Sequence, residues 1–337
     1  MPPKILVTGG AGYIGSHTVV ALTEAGYEPI LVDDFSNSEP RMLQGISALL
    51  NRQLRTYTID CTDPAAMRQV FEQEQLAGII HFAASKAVGE SVEKPLKYYR
   101  NNLDSLLLLL ELMPQYGVKD LVFSSSCTVY GQPAHLPVTE ETPRLPAQSP
   151  YGNTKAIGED IIRDCVTAKR PLRAVSLRYF NPIGAHPSAL IGELPRGTPA
   201  NLVPYLLQVA SGQRASLAVH GSDYNTPDGT AIRDYIHVMD LADAHVRAIS
   251  LLENQADDSF YDVYNIGTGR GQSVLELIHT FEETNGVNLP YTLSPRRPGD
   301  IEQIYADVAK AATGLGFTTK RSLADALRDA WQWQQKI

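Results

Sequence analysis

Seven residues near the N-terminus constrain this chain more than any others. The apolar, β-branched run Lys4–Thr8 (KILVT) leads straight into Gly9-Gly10-Ala11-Gly12-Tyr13-Ile14-Gly15, and Ser16–Ala25 then reads as a helix that Gly26 stops. A strand that passes through a short glycine turn into a helix opens a βαβ unit. The GxxGxxG spacing gives each glycine a task. Gly9 permits the tight turn, Gly12 lets a pyrophosphate approach the backbone, and Gly15 lets helix and strand pack closely. The helix N-terminus then offers free N–H groups to an anion. A turn serving packing alone is the plainer alternative. Its place after the first strand and before a helix favours a dinucleotide cofactor.

The alternation continues. Strand signals recur at Glu28–Asp33, Leu54–Ile59, Gly78–Ala83, Asp120–Ser124 and Arg173–Phe180. Helical stretches lie between them at Asp63–Gln75, Pro95–Met113 and Ser149–Thr167, the first with Thr62 or Asp63 as cap and Pro64 in its first turn. Strands spaced in this way predict a doubly wound parallel α/β sheet of the Rossmann type, with its ligand crevice at the strand carboxyl ends. After Asn181 the pattern loosens and proline and glycine recur. Residues 1–180 therefore read as a cofactor-binding domain. Residues 181–337 read mostly as a smaller substrate lobe, with segments near 234–267, including a helix at Asp234–Leu252, returning to the first.

Asp33 closes the second strand, where a carboxylate would meet ribose hydroxyls and repel a 2′-phosphate, which favours NAD over NADP. Asp33 and Asp34 also suit a turn or cap. Asp60, after the third strand, is placed for an adenine amino group or for a plain turn. Tyr151 is the only tyrosine with a lysine four residues on, Lys155, so both side chains share one helix face. A phenol is a poor base at neutral pH, and a nearby ammonium is expected to lower its pKa. Ser126, at the end of the fifth strand, can hydrogen-bond a substrate oxygen.

Acidic residues number 37 and basic residues 29, a net charge of −8, which disfavours a nucleic-acid partner. Three cysteines without a CxxC pair give neither a disulfide framework nor a zinc motif, and they suit a reducing, cytoplasmic setting. The start MPPKILVTGG has no secretory pattern, and the longest apolar run, Leu106–Leu110, is too short for a membrane span. His237, Asp240, Asp243 and His245 read as a helix cap (Asp240) and helix-face residues, so no metal is expected.

TGGAGYIGSH, HFAASKAVGES, SSSCTVYG, SPYGNTK, RYFNPIGAH and RDYIHVMDLADAH together resemble the extended short-chain dehydrogenase/reductase family over essentially the whole chain. The resemblance implies an enzyme that inverts C4 of a UDP-hexose, interconverting UDP-glucose and UDP-galactose with retained NAD. It implies Tyr151 as base and acid, Lys155 as its partner and Ser126 as substrate hydrogen-bonder. Along NAD it places Gly9, Gly12, Tyr13, Ile14, Gly15, Asp33, Asp34, Phe35, Ser36, Asn37, Ser38, Asp60, Cys61, Phe82, Ala83, Lys86, Asn101 and Phe180, with the catalytic three. Around the UDP-sugar it places Asn181, Asn201, Leu202, Ala218, His220, Arg233, Arg297, Asp300 and Ile304. The arginines suit a diphosphate on chemical grounds as well. Ile304 falls where a large aromatic would favour plain hexoses and a small residue would admit N-acetylated ones. A homodimer through two long helices, including Pro95–Met113, is also implied.

A 4,6-dehydratase on this scaffold needs an added acid/base pair, and Cys127 and Thr128 stand there instead. A net dehydrogenase or reductase and a non-catalytic dinucleotide sensor are the other readings. Retention of Tyr151, Lys155 and Ser126 weighs against the sensor.

Overall fold

Strands that are apolar on both faces must be covered on both faces. The computed structural model, which describes residues 1–297 and 300–337, meets that demand with a layered arrangement. The first half runs β1 (Lys4–Thr8), α1 (Tyr13–Glu24), β2 (Glu28–Val32), α2 (Arg41–Leu50), β3 (Thr56–Tyr57), α3 (Pro64–Gln73), β4 (Leu76–His81), α4 (Val88–Glu93), α5 (Pro95–Tyr99), α6 (Ser105–Leu112), β5 (Asp120–Ser126), α7 (Pro150–Thr167) and β6 (Arg173–Tyr179). The second half runs β7 (Asn181–Ile183), α8 (Leu202–Ala210), β8 (Leu217–His220), β9 (Ile232–Arg233), β10 (Tyr235–His237), α9 (Val238–Glu253), β11 (Phe260–Ile266), β12 (Gln272–Ser273), α10 (Val274–Asn285), β13 (Tyr291–Ser294), β14 (Gln303–Ile304), α11 (Ala309–Gly314) and α12 (Leu323–Gln334).

Seven parallel strands form the main sheet in the order β11-β6-β5-β4-β1-β2-β3. One face buries Val19, Val20 and Leu22 of α1, Ile46 of α2 and Leu241, Ala248 and Leu252 of α9. The other buries Met67 and Val70 of α3, Leu106 and Leu109 of α6 and Ile162 of α7. The order reverses between β1 and β4, so the loops after these strands diverge and leave a crevice. A separate core, with Val203, Leu206, Leu277, Phe281 and Leu327 at its centre, holds α8, α10 and α12 together beside that crevice. The short pairs β7–β10, β8–β13 and β12–β9–β14 frame it.

Several expectations shift. Helix α1 begins at Tyr13, three residues before the expected start, because Gly12 already serves as its N-cap. The third strand shrinks to Thr56–Tyr57 at the sheet edge. The long helix expected over Pro95–Met113 contains a π turn at Arg100–Asp104 and ends in a 3-10 turn at Met113–Tyr116. The π turn is where Asn102 reaches sideways, donating to Ser85 O (3.1 Å) and Thr154 Oγ1 (3.0 Å). Asp240 is not the cap of α9. His237 Nδ1 accepts the Met239 N–H at 3.0 Å, while Asp240 accepts the Lys320 and Arg321 N–H groups at 2.9 and 3.0 Å. Among the described residues no three His, Cys, Asp or Glu side chains converge as metal ligands, and no helix is long and apolar enough to cross a membrane.

Candidate active site

The glycine turn is built from close backbone contacts. A Cβ on Gly9, whose φ is +68°, would sit 3.0 Å from Ala83 N, and one on Gly15 would sit 2.2 Å from Gly9 O. Helices α3, α7, α9, α10 and α12 all have side-chain N-caps, but Gly12 has no side chain to cap α1. The first N–H groups of α1, at Tyr13 and Ile14, are therefore left for an anion, the arrangement a pyrophosphate fits.

Asp33 binds the rest of this wall together. Its Oδ2 accepts Ala11 N–H (2.9 Å), and its Oδ1 accepts Phe35 N–H (3.0 Å) and Ser38 Oγ–H (2.6 Å). Three of about four acceptor positions are used, leaving one for a ligand hydroxyl. Asp34 caps its own turn through Ser36, and Asn37 is exposed. Arg196, from the second half, pins the loop by donating to Ser36 O (2.9 Å) and Ser38 O (2.7 Å). Cys61 is buried beside Asp33 and Asp60, and burial together with these carboxylates pushes its thiol pKa up. Asp60 Oδ1 is turned inward onto Thr62 N–H (2.8 Å), the turn role also foreseen. Phe82 leaves β4 against His245, ring centroids 4.6 Å apart, and Phe180 is buried. Asn101 lies in the π turn and donates to Asn102 Oδ1 (3.0 Å).

The three catalytic candidates converge. Ser126 is the last residue of β5. Its Oγ accepts the Thr128 N–H (3.2 Å) and hydroxyl (3.0 Å), so its own proton is free to donate. Ser149 caps α7 through Gly152 N–H (3.2 Å), which places Tyr151 in the first turn and Lys155 one turn on. Lys155 is buried, and its Nζ donates to Ser124 O (2.6 Å) and lies 5.9 Å from the Tyr151 ring centre. Burial drives the Lys155 pKa down to about 7. Burial pushes Tyr151 up to about 12, opposed by the neighbouring Ser126 hydroxyl, although the residue is only half-buried. Burial thus moves the phenol in the direction opposite to the one expected from the Tyr-Lys pair. Burial is the largest influence on both groups, raising the phenol and lowering the ammonium.

The substrate candidates come from several segments of the second half. Ala218 and His220 are the two half-buried residues of β8, alternating with buried Leu217 and Val219. Ile304 pairs in register with Arg233 and packs in a small cluster with Cys127 and Phe180, next to Ser126. Arg297 forms a two-pronged pair with Asp300 at 2.9 and 3.2 Å; Pro298 and Gly299 between them lie outside the described residues. Asn181 opens β7, and Asn201 stands at the N-terminus of α8, just before Leu202, without a capping side-chain bond.

Sequence reasoning missed Glu193. Its carboxylate receives Lys86 Nζ (3.4 Å) and Asn201 Nδ2 (3.3 Å), joining a cofactor candidate to a substrate candidate, while its carbonyl accepts Trp333 Nε1–H (2.9 Å). It sits in a proline- and glycine-rich stretch without periodicity, and no local signal marks it. Tyr13 was placed along the cofactor, but its hydroxyl also donates to Gly184 O (2.7 Å), tying the glycine turn to the second half.

A parallel sheet with an uncapped helix at its switch point and a Ser-Tyr-Lys cluster beside it defines a dinucleotide-dependent enzyme of the short-chain dehydrogenase class. Residues 5–267 match the family model described as the NAD dependent epimerase/dehydratase family, and the chain belongs to that family. It is 51% identical over 330 residues to the UDP-glucose 4-epimerase of Bacillus subtilis (strain 168), covering 98% of this chain and 96% of that protein. The structure of UDP-glucose 4-epimerase from Bifidobacterium longum, in complex with NAD+ and UDP, superposes with a TM-score of 0.94 at 47% identity, covering 99% of this chain and 98% of that one. The enzyme from Stenotrophomonas maltophila, with NAD and formylated UDP-arabinopyranose, gives 0.96 at 44% identity, again over 99% and 98% of the chains.

Proposed function

We propose that this chain is an NAD-dependent UDP-hexose 4-epimerase that interconverts UDP-galactose and UDP-glucose. The convergence of Ser126, Tyr151 and Lys155 at the crevice beside the uncapped α1 carries the reading. Bound NAD supplies a reversible hydride acceptor. The protein's own residues handle protons and position. Ser126 donates to the sugar 4-oxygen, and Tyr151 takes the 4-hydroxyl proton. It does so as a phenolate formed beforehand by passing the phenol's own proton to Lys155, whose ammonium then faces it, since each charge stabilises the other in a buried setting. Arg233 and Arg297 hold the diphosphate while the 4-keto sugar turns over, and Tyr151 returns the proton on the other face. Asp33 favours NAD by repelling a 2′-phosphate. No net redox change occurs, so the cofactor stays bound.

Ile304, packed with Cys127 and Phe180, is intermediate in size between the aromatic that favours plain hexoses and the small residue that admits N-acetylated ones, and turnover of UDP-N-acetylglucosamine by the purified protein decides whether that class is used. The protein acts in the cytoplasm, a setting its three free cysteines suit. It pairs with a second copy through the helical run α4–α6. That run exposes Val92 (61%), Leu96 (75%) and Leu107 (41%), and sedimentation at micromolar concentration checks for the dimer. The deciding experiment incubates purified protein with UDP-galactose, with no NAD added. UDP-glucose accumulating to a fixed ratio supports the proposal. No product, even with NAD supplied, rejects UDP-galactose as substrate.

A further inference from the structure

Tyr224 lies outside every role assigned so far. It is 5% exposed, and its hydroxyl has no hydrogen-bond partner among the described residues. Leaving a buried hydroxyl unpaired is unfavourable, and such groups in folded proteins commonly mark a ligand or solvent position.

The ring is held firmly. One face carries the Arg296 guanidinium, 4.0 Å from the ring centre, a cation–π contact. Arg296 is fixed in turn by Asp223, Nε to Oδ1 at 2.7 Å. The ring edge lies on Gly221, where a Cβ would come within 2.2 Å of it. The loop closes on itself through Tyr224 N–H to Gly229 O (3.0 Å).

This clamp stands at the candidate diphosphate site. Strands β8 and β13 pair in parallel and end together at His220 and Ser294. Gly221 follows the first and Arg296-Arg297 follows the second, so Tyr224 is wedged between the exits that carry His220 and Arg297. The next residue, Asn225, donates its N–H to Glu302 Oε2 (3.3 Å), and the Glu302 carbonyl accepts from Arg233 Nη1 (3.4 Å). The charges acting most on the phenol are Asp300, Arg296, Arg233 and Arg297. Burial and Asp300 hold its pKa above the ordinary value, so it remains a neutral O–H donor.

We propose that the Tyr224 hydroxyl is a diphosphate ligand, donating to a phosphate oxygen of the nucleotide sugar that Arg233 and Arg297 neutralise. The inference rests on the UDP-sugar reading above. Arg297 is now paired with Asp300; an incoming diphosphate competes for that guanidinium and brings the acceptor that Tyr224 lacks.

Tyr224→Phe keeps the ring, the Arg296 stack and the Gly221 contact, and removes only the oxygen. Titrations with UDP and with uridine are compared for wild-type and variant protein, together with ligand-free melting temperatures. The expected result is a rise in the UDP dissociation constant on the order of tenfold, the weight of one hydrogen bond to a charged acceptor. Uridine, which has no phosphate, should bind within about twofold of wild type, and the ligand-free variant should melt no lower, since the lost hydroxyl had no partner. In turnover of UDP-galactose, KM should rise while kcat changes by less than about threefold. Unchanged UDP affinity would assign the place to solvent and overturn the proposal. So would equal losses for UDP and uridine, or a lower melting temperature, which would reveal an internal partner. If the wild-type protein binds UDP but converts no UDP-galactose, the epimerase reading fails while the comparison of UDP with uridine still decides the role of Tyr224.

Discussion

Replacing Lys155 by methionine should stabilise the ligand-free protein while removing its activity. The Lys155 pKa is driven from 10.5 to about 7 by burial. The folded pKa is depressed, so the unfolded chain binds more protons than the folded one between about pH 7 and about pH 10.5. The Lys155 contribution to stability therefore rises with pH across that window, and comparison with the variant isolates it from the buried cysteines and tyrosines, whose raised pKa values act the other way. The penalty is full below it and gone above it. Linkage puts the penalty at about 4 kcal/mol near pH 7 and about 1 kcal/mol near pH 9.5. Methionine removes the penalty but also leaves Ser124 O without its 2.6 Å partner. That loss costs about 1–3 kcal/mol at any pH. The net gain near pH 7 is therefore about 1–3 kcal/mol. The difference between variant and wild type shrinks by about 3 kcal/mol on going to pH 9.5, whatever the offset. His81 is held neutral by burial, with a pKa down at about 3, and Tyr151 is pushed up to about 12; both are present in wild type and variant, so their own slopes cancel in the difference. Urea unfolding of both proteins, freed of bound nucleotide, at the two pH values reads the effect. Parallel pH profiles would show that Lys155 keeps an ordinary charge in the fold and would refute the reasoning. Turnover of the variant should fall by about 10² or more, because the phenolate loses its counter-charge.

Tyr151→Phe should lower turnover by about 10² or more with bound NAD unchanged, as befits a lost general base; near-normal turnover in purified protein would remove Tyr151 from the chemistry. Gly15→Ala places a Cβ 2.2 Å from Gly9 O and 3.0 Å from Gly10 Cα, both backbone atoms without freedom to yield. The variant should lose bound NAD and about 1–3 kcal/mol of stability, checked by nucleotide released on denaturation and by thermal melting. Ile304→Tyr fills space beside Phe180 and should reduce turnover of UDP-N-acetylglucosamine more than that of UDP-glucose. Equal losses on both would show that Ile304 does not set sugar size.

The sequence alone determined the parts of this protein whose physics is local. A glycine turn between a strand and a helix needs no distant partner to be recognised, because φ > 0 at Gly9 and the close packing of Gly15 exclude side chains there. The apolar strands set the doubly wound sheet, and the Tyr151–Lys155 spacing set one helix face. A cap at Thr62 or Asp63 was legible before Pro64, and the structure gives the role to Asp63. Tertiary structure decided what depends on contacts distant in sequence. The return of α9 and β11 to the sheet was legible only in outline, since the full register of β11 with β6 is a pairing across about ninety residues. The π turn near Asn101 follows from the grip of Asn102 on Ser85 and Thr154. Glu193 and Tyr224 have no periodicity or motif to mark them, and they gain meaning only where Lys86, Asn201 and Arg296 arrive from other segments. The protonation of the Tyr-Lys pair was beyond the sequence for the same reason. Spacing places the two groups side by side, but the depth of their burial sets the direction in which each pKa moves.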